Sequence, residues 1–242
     1  MSTTLCFDFG NTRKKAAVFT NEKISKVLTL EDDAPATIES LINTYKPKRS
    51  ILSSVINHNA EVEDLLKRNT RFHLLNHASK IPITTPVGKP ETIGADRLAI
   101  AAGGVHFFPG KNLLLIGLGT CITLNFVNKY KEFLGGSISP GLEMRLKSLQ
   151  YYTAKLPYTN AKADVPLIGY DTDTNILSGV ILGMAYEIDG FIDAYQAKFD
   201  NFNVVLTGGD TQHLASHIKN RIFADPDLIF KGLYAISEIN NA

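Results

Sequence analysis

The sequence predicts an α/β protein built as two similar lobes, and three observations carry that expectation. An order of strand, glycine-bearing turn, strand, strand and helix occurs twice, first from Thr4 and again from about Lys111. Four Gly-rich stretches, DFGNT, GLGT, LGGSISPG and LTGGD, sit at strand ends in both halves. The chain has 242 residues, enough for two lobes at a usual domain size of roughly 100–150 residues. The expected lobes are 1–110 and 111–242, packed tightly because no linker long enough to separate independent domains intervenes.

In the first half, Thr4–Phe9, Lys15–Thr20 and Ile24–Leu30 read as strands joined by turns rich in Gly, Asn and Glu. Ala36, Ile38, Leu41, Ile42 and Tyr45 recur at helical spacing after Pro35, and Pro47 closes that helix. A strand over Arg49–Ile56, an amphipathic helix over Ala60–Arg68 and a short strand over Phe72–Leu75 follow. Three prolines and a glycine make 81–90 irregular, and the small-residue segment Ala95–Val105 reads as a helix. The second half repeats the plan with LLLIG, CITLNFV and a third strand around Glu132–Ile138. Helices over Leu142–Tyr152 and Asn175–Phe199, the strand NVVLTGG, a helix near Thr211–Ile218 and a closing segment Asp227–Ile239 complete it.

The composition, 44% hydrophobic and 20% charged with net charge +1, is that of an ordinary globular chain. It offers no electrostatic reason to bind nucleic acid or an anionic membrane. Small molecules or another subunit are the expected partners. Cys6 and Cys121 each lie in an apolar strand-like run, which favours buried free thiols over a disulfide. The opening residues lack the charge and apolar pattern of a signal peptide, and the apolar runs are short for a bilayer, so a cytoplasmic location is expected.

The stretch LCFDFGNTRKKAAVF delivers Asp8 into a Gly10-Asn11-Thr12 turn. Such a turn lets an anion approach the backbone, and a carboxylate beside phosphates can hold a hydrated cation. A plain hairpin turn fits those residues equally well by themselves. Taken with the other Gly-rich ends, the pattern suggests backbone amides around a triphosphate. Thr12 and Thr120 would bond its oxygens, Lys15 would offset charge, and Gly208 and Gly209 would leave room for adenine and ribose. Gly94, Ala95, Asp96 and Arg97 place a carboxylate and a guanidinium side by side after a proline-rich loop. That pair suits proton acceptance from an alcohol and grip on an anionic substrate.

Five blocks in order, DFGNTRKK, PETIGADR, GLGTCIT, GGSISPGLEMRLKSL and DTDTNILSGVILG, resemble the type III pantothenate kinase family along nearly the whole chain. That family belongs to the sugar kinase, heat-shock ATPase and actin superfamily. The resemblance implies two ribonuclease H-like lobes of the actin-like ATPase fold with a nucleotide cleft between them. It also implies ATP-dependent phosphorylation of pantothenate, the first step of coenzyme A synthesis, by a homodimer. By position, Asp8, Phe9, Gly10, Asn11, Thr12, Arg13, Lys14 and Lys15 match the ATP-phosphate loop, with Asp8 near magnesium through water, and Thr120 matches a second phosphate contact. Gly94, Ala95, Asp96 and Arg97 match the substrate segment, with Asp96 as proton acceptor, and Val87 and Thr172 match further substrate positions.

Two positions depart from the family pattern. Gly117 stands where the family places an aspartate that binds potassium or ammonium, so that cation site is expected to be lost or rebuilt from backbone carbonyls. Val87 stands where relatives carry a tyrosine. Two other functions therefore stand beside the kinase: a catalytically impaired nucleotide-binding regulatory protein on the same fold, and a kinase or phosphatase acting on another hydroxyl compound. His73 with His77, and His213 with His217, have helical metal-ligand spacing but lack a third ligand and read as surface or capping residues. Ile181, Met184, Ile188 and Phe191 read as a core or dimer stripe, and Arg145 with Lys147 as a solvated face.

Overall fold

The computed structural model describes residues 2–162 and 164–241. The first sheet runs β3-β2-β1-β4-β5, from β1 (Thr3–Phe9), β2 (Lys14–Thr20), β3 (Lys23–Leu30), β4 (Arg49–Ser54) and β5 (Arg71–Leu74). β1 pairs antiparallel with β2 and parallel with β4. Helices α1 (Pro35–Tyr45) and α2 (Ala60–Asn69) connect β3 to β4 and β4 to β5, and α3 (Ala95–Phe107) follows.

Side chains alternate across a strand, so β1 serves two cores. Leu5, Phe7 and Phe9 pack with Ala16, Val18 and Leu52 against Ile38 and Ile42 of α1 and Val62 and Leu66 of α2. Cys6, Ala17, Phe19 and Ile51 face the other way, onto Ala99 and Ala102 of α3. Asp8 continues the Cys6 series, so β1 ends with a carboxylate on the α3 side of the sheet.

The second sheet runs β10-β9-β6-β7-β8, from β6 (Asn112–Leu118), β7 (Cys121–Val127), β8 (Phe133–Pro140), β9 (Phe202–Thr207) and β10 (Phe223–Ala224). Its central strand again pairs antiparallel with the next strand in sequence and parallel with the fourth. The duplicated plan is therefore real. Helices α4 (Leu142–Tyr152), α5 (Thr172–Leu177) and α6 (Gly183–Gln196) lie between β8 and β9, α7 (Thr211–Leu214) lies between β9 and β10, and α8 (Leu228–Asn240) closes the chain. Leu114, Ile116, Leu124, Phe126 and Leu206 build this core with Ile176, Ile181, Met184, Ile188 and Ile192.

α5 and α6 join through a π-helical stretch at Ser178–Leu182. The resulting helix, Thr172–Gln196, is long and apolar enough to cross a membrane by length and composition. Its buried face, which includes the predicted Ile181, Met184 and Ile188, is spent on the core of the second sheet. Arg145 departs from the expected solvated face: it forms an ion pair with Glu187, and its Nε donates to the Pro140 carbonyl at 2.8 Å. Lys147 pairs with Glu143 one turn away. The histidine pairs do not share a regular helix: His73 lies on β5 bonded to Ser79 at 2.8 Å, and His217 falls in a 3-10 turn beyond α7.

Two compact units emerge, Met1–Gly110 with Tyr130–Leu134 and Asp227–Ala242, and Lys111–Lys129 with Gly135–Pro226. The closing helix thus groups with the first unit and not with the half that precedes it in sequence. Small residues explain the exchange. A Cβ on Gly232 of α8 would lie 1.8 Å from the Ala99 carbonyl oxygen, and one on Gly103 of α3 would lie 2.6 Å from that of Leu228. Backbone meets backbone there, and Phe230, Leu233 and Ile236 enter the core beside Cys6 and Ile51. Glu238 pairs with Arg49, and the Asn241 side chain donates to the Ser50 carbonyl at 3.4 Å.

Candidate active site

The turn after β1 is closed by a hydrogen bond from the Gly10 amide to the Arg13 carbonyl at 3.1 Å. Asn11, Thr12 and Arg13 at its tip are exposed. Phe9 is a core ring set edge-on to Phe7 and to His58. The two lysines that follow diverge, as neighbours on a strand must. Lys14 reaches Asp33 at 3.3 Å, and Asp33 also accepts from the Asn59 amide. Lys15 is the register partner of Asp8 and faces it.

Asp96 stands in the first turn of α3, where free amides and the helix dipole favour a negative charge. Its carboxylate folds back over the helix start, so that a Cβ on the preceding Gly94 would lie 2.5 Å from Oδ1. Glycine is what lets the carboxylate take that position. Arg97 holds its guanidinium over the Phe133 ring at 5.4 Å. The Phe133 segment is tied to the proline-rich loop, since the Thr84 amide donates to Lys131 and the Phe133 amide to Thr84, at 2.9 and 2.8 Å. Val87 lies partly buried in that loop.

The first unit therefore brings Asp8, Lys15 and the Asp96 segment together, although nearly 90 residues separate Asp8 from Asp96 in sequence. Burial pushes the Asp8 carboxyl up to about 7, repulsion from Asp96 adds to the rise, and Lys15 opposes it. Asp8 is only partly buried as a whole residue, but protein encloses its carboxyl. Burial also raises Asp96, held back by its own amide, the Arg97 amide and the Arg97 charge. The two carboxyls repel each other, so their ionisations are linked. Two buried carboxyls, both raised by desolvation, beside a lysine can exchange a proton and hold a cation.

Sequence reasoning missed one polar group here. Ser53 on β4 is the register partner of Asp8 and is fully buried, and its hydroxyl has no hydrogen-bond partner. It lies within a short strand, RSILSS, and nothing in the string distinguishes it from Ser54 until the register is known.

In the second unit, Thr120 lies in the β6–β7 turn, and its carbonyl accepts from the Gly141 amide at 3.0 Å, just ahead of α4. Gly117 is placed on β6 between Thr123 of β7 and Thr207 of β9. Thr207 is 1% exposed and its hydroxyl has no partner. Thr172 is an exposed residue opening α5, which Asp171 caps through the Thr174 amide at 2.8 Å.

Paired sheets of this strand order give the chain an α/β fold that solved sugar kinases share. A ROK family glucokinase from Streptomyces griseus, solved with glucose and AMPPNP, superposes with a TM-score of 0.55 at 11% identity, covering 98% of this chain and 99% of that one. Residues 4–194 match the family model for type III pantothenate kinase. A type III pantothenate kinase of Christiangramia forsetii is 40% identical over 98% of both chains, and one of Cytophaga hutchinsonii is 39% identical over 98% of this chain and 99% of its own. The chain belongs to the type III pantothenate kinase family.

Proposed function

We propose that this protein transfers the γ-phosphoryl group of ATP to the primary hydroxyl of pantothenate. The observation that carries the reading is the meeting of Asp8, Lys15 and Asp96 at the ends of β1, β2 and the start of α3. The Gly10–Arg13 turn offers amides to phosphate oxygens, with Asn11, Thr12 and Arg13 exposed at its tip and Lys15 supplying charge. Thr120 is a second phosphate contact, and Gly94, Ala95, Arg97, Val87 and Thr172 are contacts to pantothenate, by correspondence with the family's motifs. The residues present suit magnesium: the Asp8 carboxylate and the unpartnered Ser53 hydroxyl on the adjacent strand are hard oxygen groups that can hold a hydrated cation through its waters. When bound there, magnesium would neutralise charge on the phosphates.

Asp96 orients the pantothenate hydroxyl in line with the γ-phosphorus. The hydroxyl oxygen forms the new bond to phosphorus as the bond to the β–γ bridging oxygen breaks. The hydroxyl proton passes to Asp96 late, because the transition state is loose, and ADP departs. Burial raises the Asp96 carboxyl above its ordinary range, which makes its carboxylate a better proton acceptor. A cytoplasmic homodimer is part of the proposal. Tyr151, Tyr152, Ile168 and Tyr170, each about four-fifths exposed, give the second unit apolar surface suited to a second copy.

The test is an assay of purified protein with magnesium and ATP, with and without pantothenate and with and without potassium. Pantothenate-dependent ADP release and a phosphorylated product support the reading. Nucleotide binding without product favours a regulatory protein, and turnover of another alcohol favours a different kinase. Gly117 offers no side-chain ligand, so potassium should change the rate by less than about threefold. A saturable potassium requirement overturns that part.

A further inference from the structure

Among the described residues, Ser53 carries the one buried side-chain polar atom of the first unit that has no hydrogen-bond partner. It is fully buried, and among the described residues its hydroxyl is one of four buried side-chain atoms with no hydrogen-bond partner. An orphan of that kind destabilises a fold, so its position needs a reason. β4 lies parallel beside β1 with Ser53 opposite Asp8, and parallel register partners project to the same face. The preceding same-face pair, Cys6 and Ile51, packs in one core with Ala99 of α3, so the Ser53 hydroxyl and the Asp8 carboxyl both stand on the face that carries Asp96.

Adjacent strands lie about 4.8 Å apart. The Ser53 hydroxyl makes no direct bond to Asp8, and two hydrogen bonds of about 2.8 Å each can span such a gap through one shared oxygen. Magnesium suits such a gap, because it gives up its waters reluctantly and is commonly held through them by one or two carboxylates. Lys15, on the opposite flank of Asp8, is a cation and leaves the Ser53 side as the one that can receive a hydrated metal.

We propose that Ser53 is a positioning residue for phosphoryl transfer, bonding a water of the hydrated divalent cation that Asp8 carries and so fixing where that cation sits against the phosphates. This rests on the kinase reading for its kinetic consequence but not for its binding consequence. Without the hydroxyl, Asp8 still attracts the cation, but the water shell turns more freely and the cation is less well placed.

The experiment compares wild type, Ser53→Ala, Ser53→Thr and Ser53→Cys as full-length proteins. Manganese titrated into protein saturated with AMPPNP, read by electron paramagnetic resonance, should bind at least fivefold more weakly to Ser53→Ala and Ser53→Cys. Ser53→Thr, which keeps the hydroxyl, should bind within twofold of wild type. In metal-free, nucleotide-free buffer, Ser53→Ala should melt at or up to about 2–4 °C above wild type, because an unsatisfied hydroxyl has been removed. In turnover, kcat should fall at least tenfold with KM for pantothenate within threefold.

Manganese affinity within twofold of wild type in Ser53→Ala overturns the proposal. So does a Tm several degrees below wild type, which would make the hydroxyl a structural group. If Ser53→Ala does not fold, Ser53→Cys, closer in volume and a weak donor, carries the same two criteria. If wild type binds manganese and AMPPNP but leaves pantothenate untouched, the kinase reading fails while the manganese comparison still decides the role of Ser53.

Discussion

Asp8→Asn is expected to make the unliganded protein more stable while abolishing its phosphoryl transfer. In wild type, burial and the neighbouring Asp96 lift the Asp8 carboxyl from an ordinary 3.8 to about 7. The folded chain therefore keeps a proton that the unfolded chain has already released between about pH 4 and 7. Folding stability contributed by that proton is fully present below pH 4 and is lost as pH rises through 7. The full difference corresponds to roughly 4 kcal/mol, at about 1.4 kcal/mol per pH unit. Asparagine does not titrate, so its advantage over wild type should grow with pH. Between pH 5 and 8 the gap should widen by roughly 2–3 kcal/mol, about 5–10 °C in Tm for a chain of this size. Thermal melts of both proteins at pH 5, 6, 7 and 8, in EDTA and without nucleotide, measure it. A gap that stays constant across that range, or narrows, refutes the claim that Asp8 is a carboxylate held against its preferred ionisation. Magnesium and ATP should stabilise wild type and do little for the variant, because ligand that binds only the folded state adds stability in proportion to its affinity.

Asp96→Asn should lower kcat by about 10²-fold or more, the low end for general acid–base groups, with ATP affinity changed by less than about threefold. An unchanged turnover number removes Asp96 from the mechanism. Gly232→Ala forces a methyl group onto the Ala99 carbonyl and should cost about 1–3 kcal/mol, a fall of roughly 3–10 °C in Tm by calorimetry. A Tm within 1 °C of wild type would mean that α3 and α8 part without cost.

Much of the fold was legible because its signals are local. Short apolar runs mark β1, β2, β6 and β7, Pro35 and Pro47 bracket α1, and the helix over Leu142–Tyr152 falls at the positions its spacing predicts. The internal repeat was legible too, since strand and turn order can be compared without knowing any contact. The partner of the closing helix was not. Leu228–Asn240 is amphipathic in any setting, and its match to α3 depends on Gly232 and Gly103 meeting Ala99 and Leu228, residues about 130 positions apart. Arg145 read as solvated for a similar reason, since Glu187 comes to it from another helix.

The amino-acid order by itself determined which chemical groups were available and where the chain would turn: Asp8 before a glycine turn, Asp96 at a helix start after Gly94, and two copies of one strand plan. Only the tertiary structure decided what those groups experience. Desolvation, the Asp8–Asp96 repulsion, the facing Lys15 and the unpartnered Ser53 hydroxyl all depend on distances between segments far apart in sequence. Electrostatic energy and hydrogen bonding fall off over a few ångströms of space, and sequence separation carries no measure of that distance.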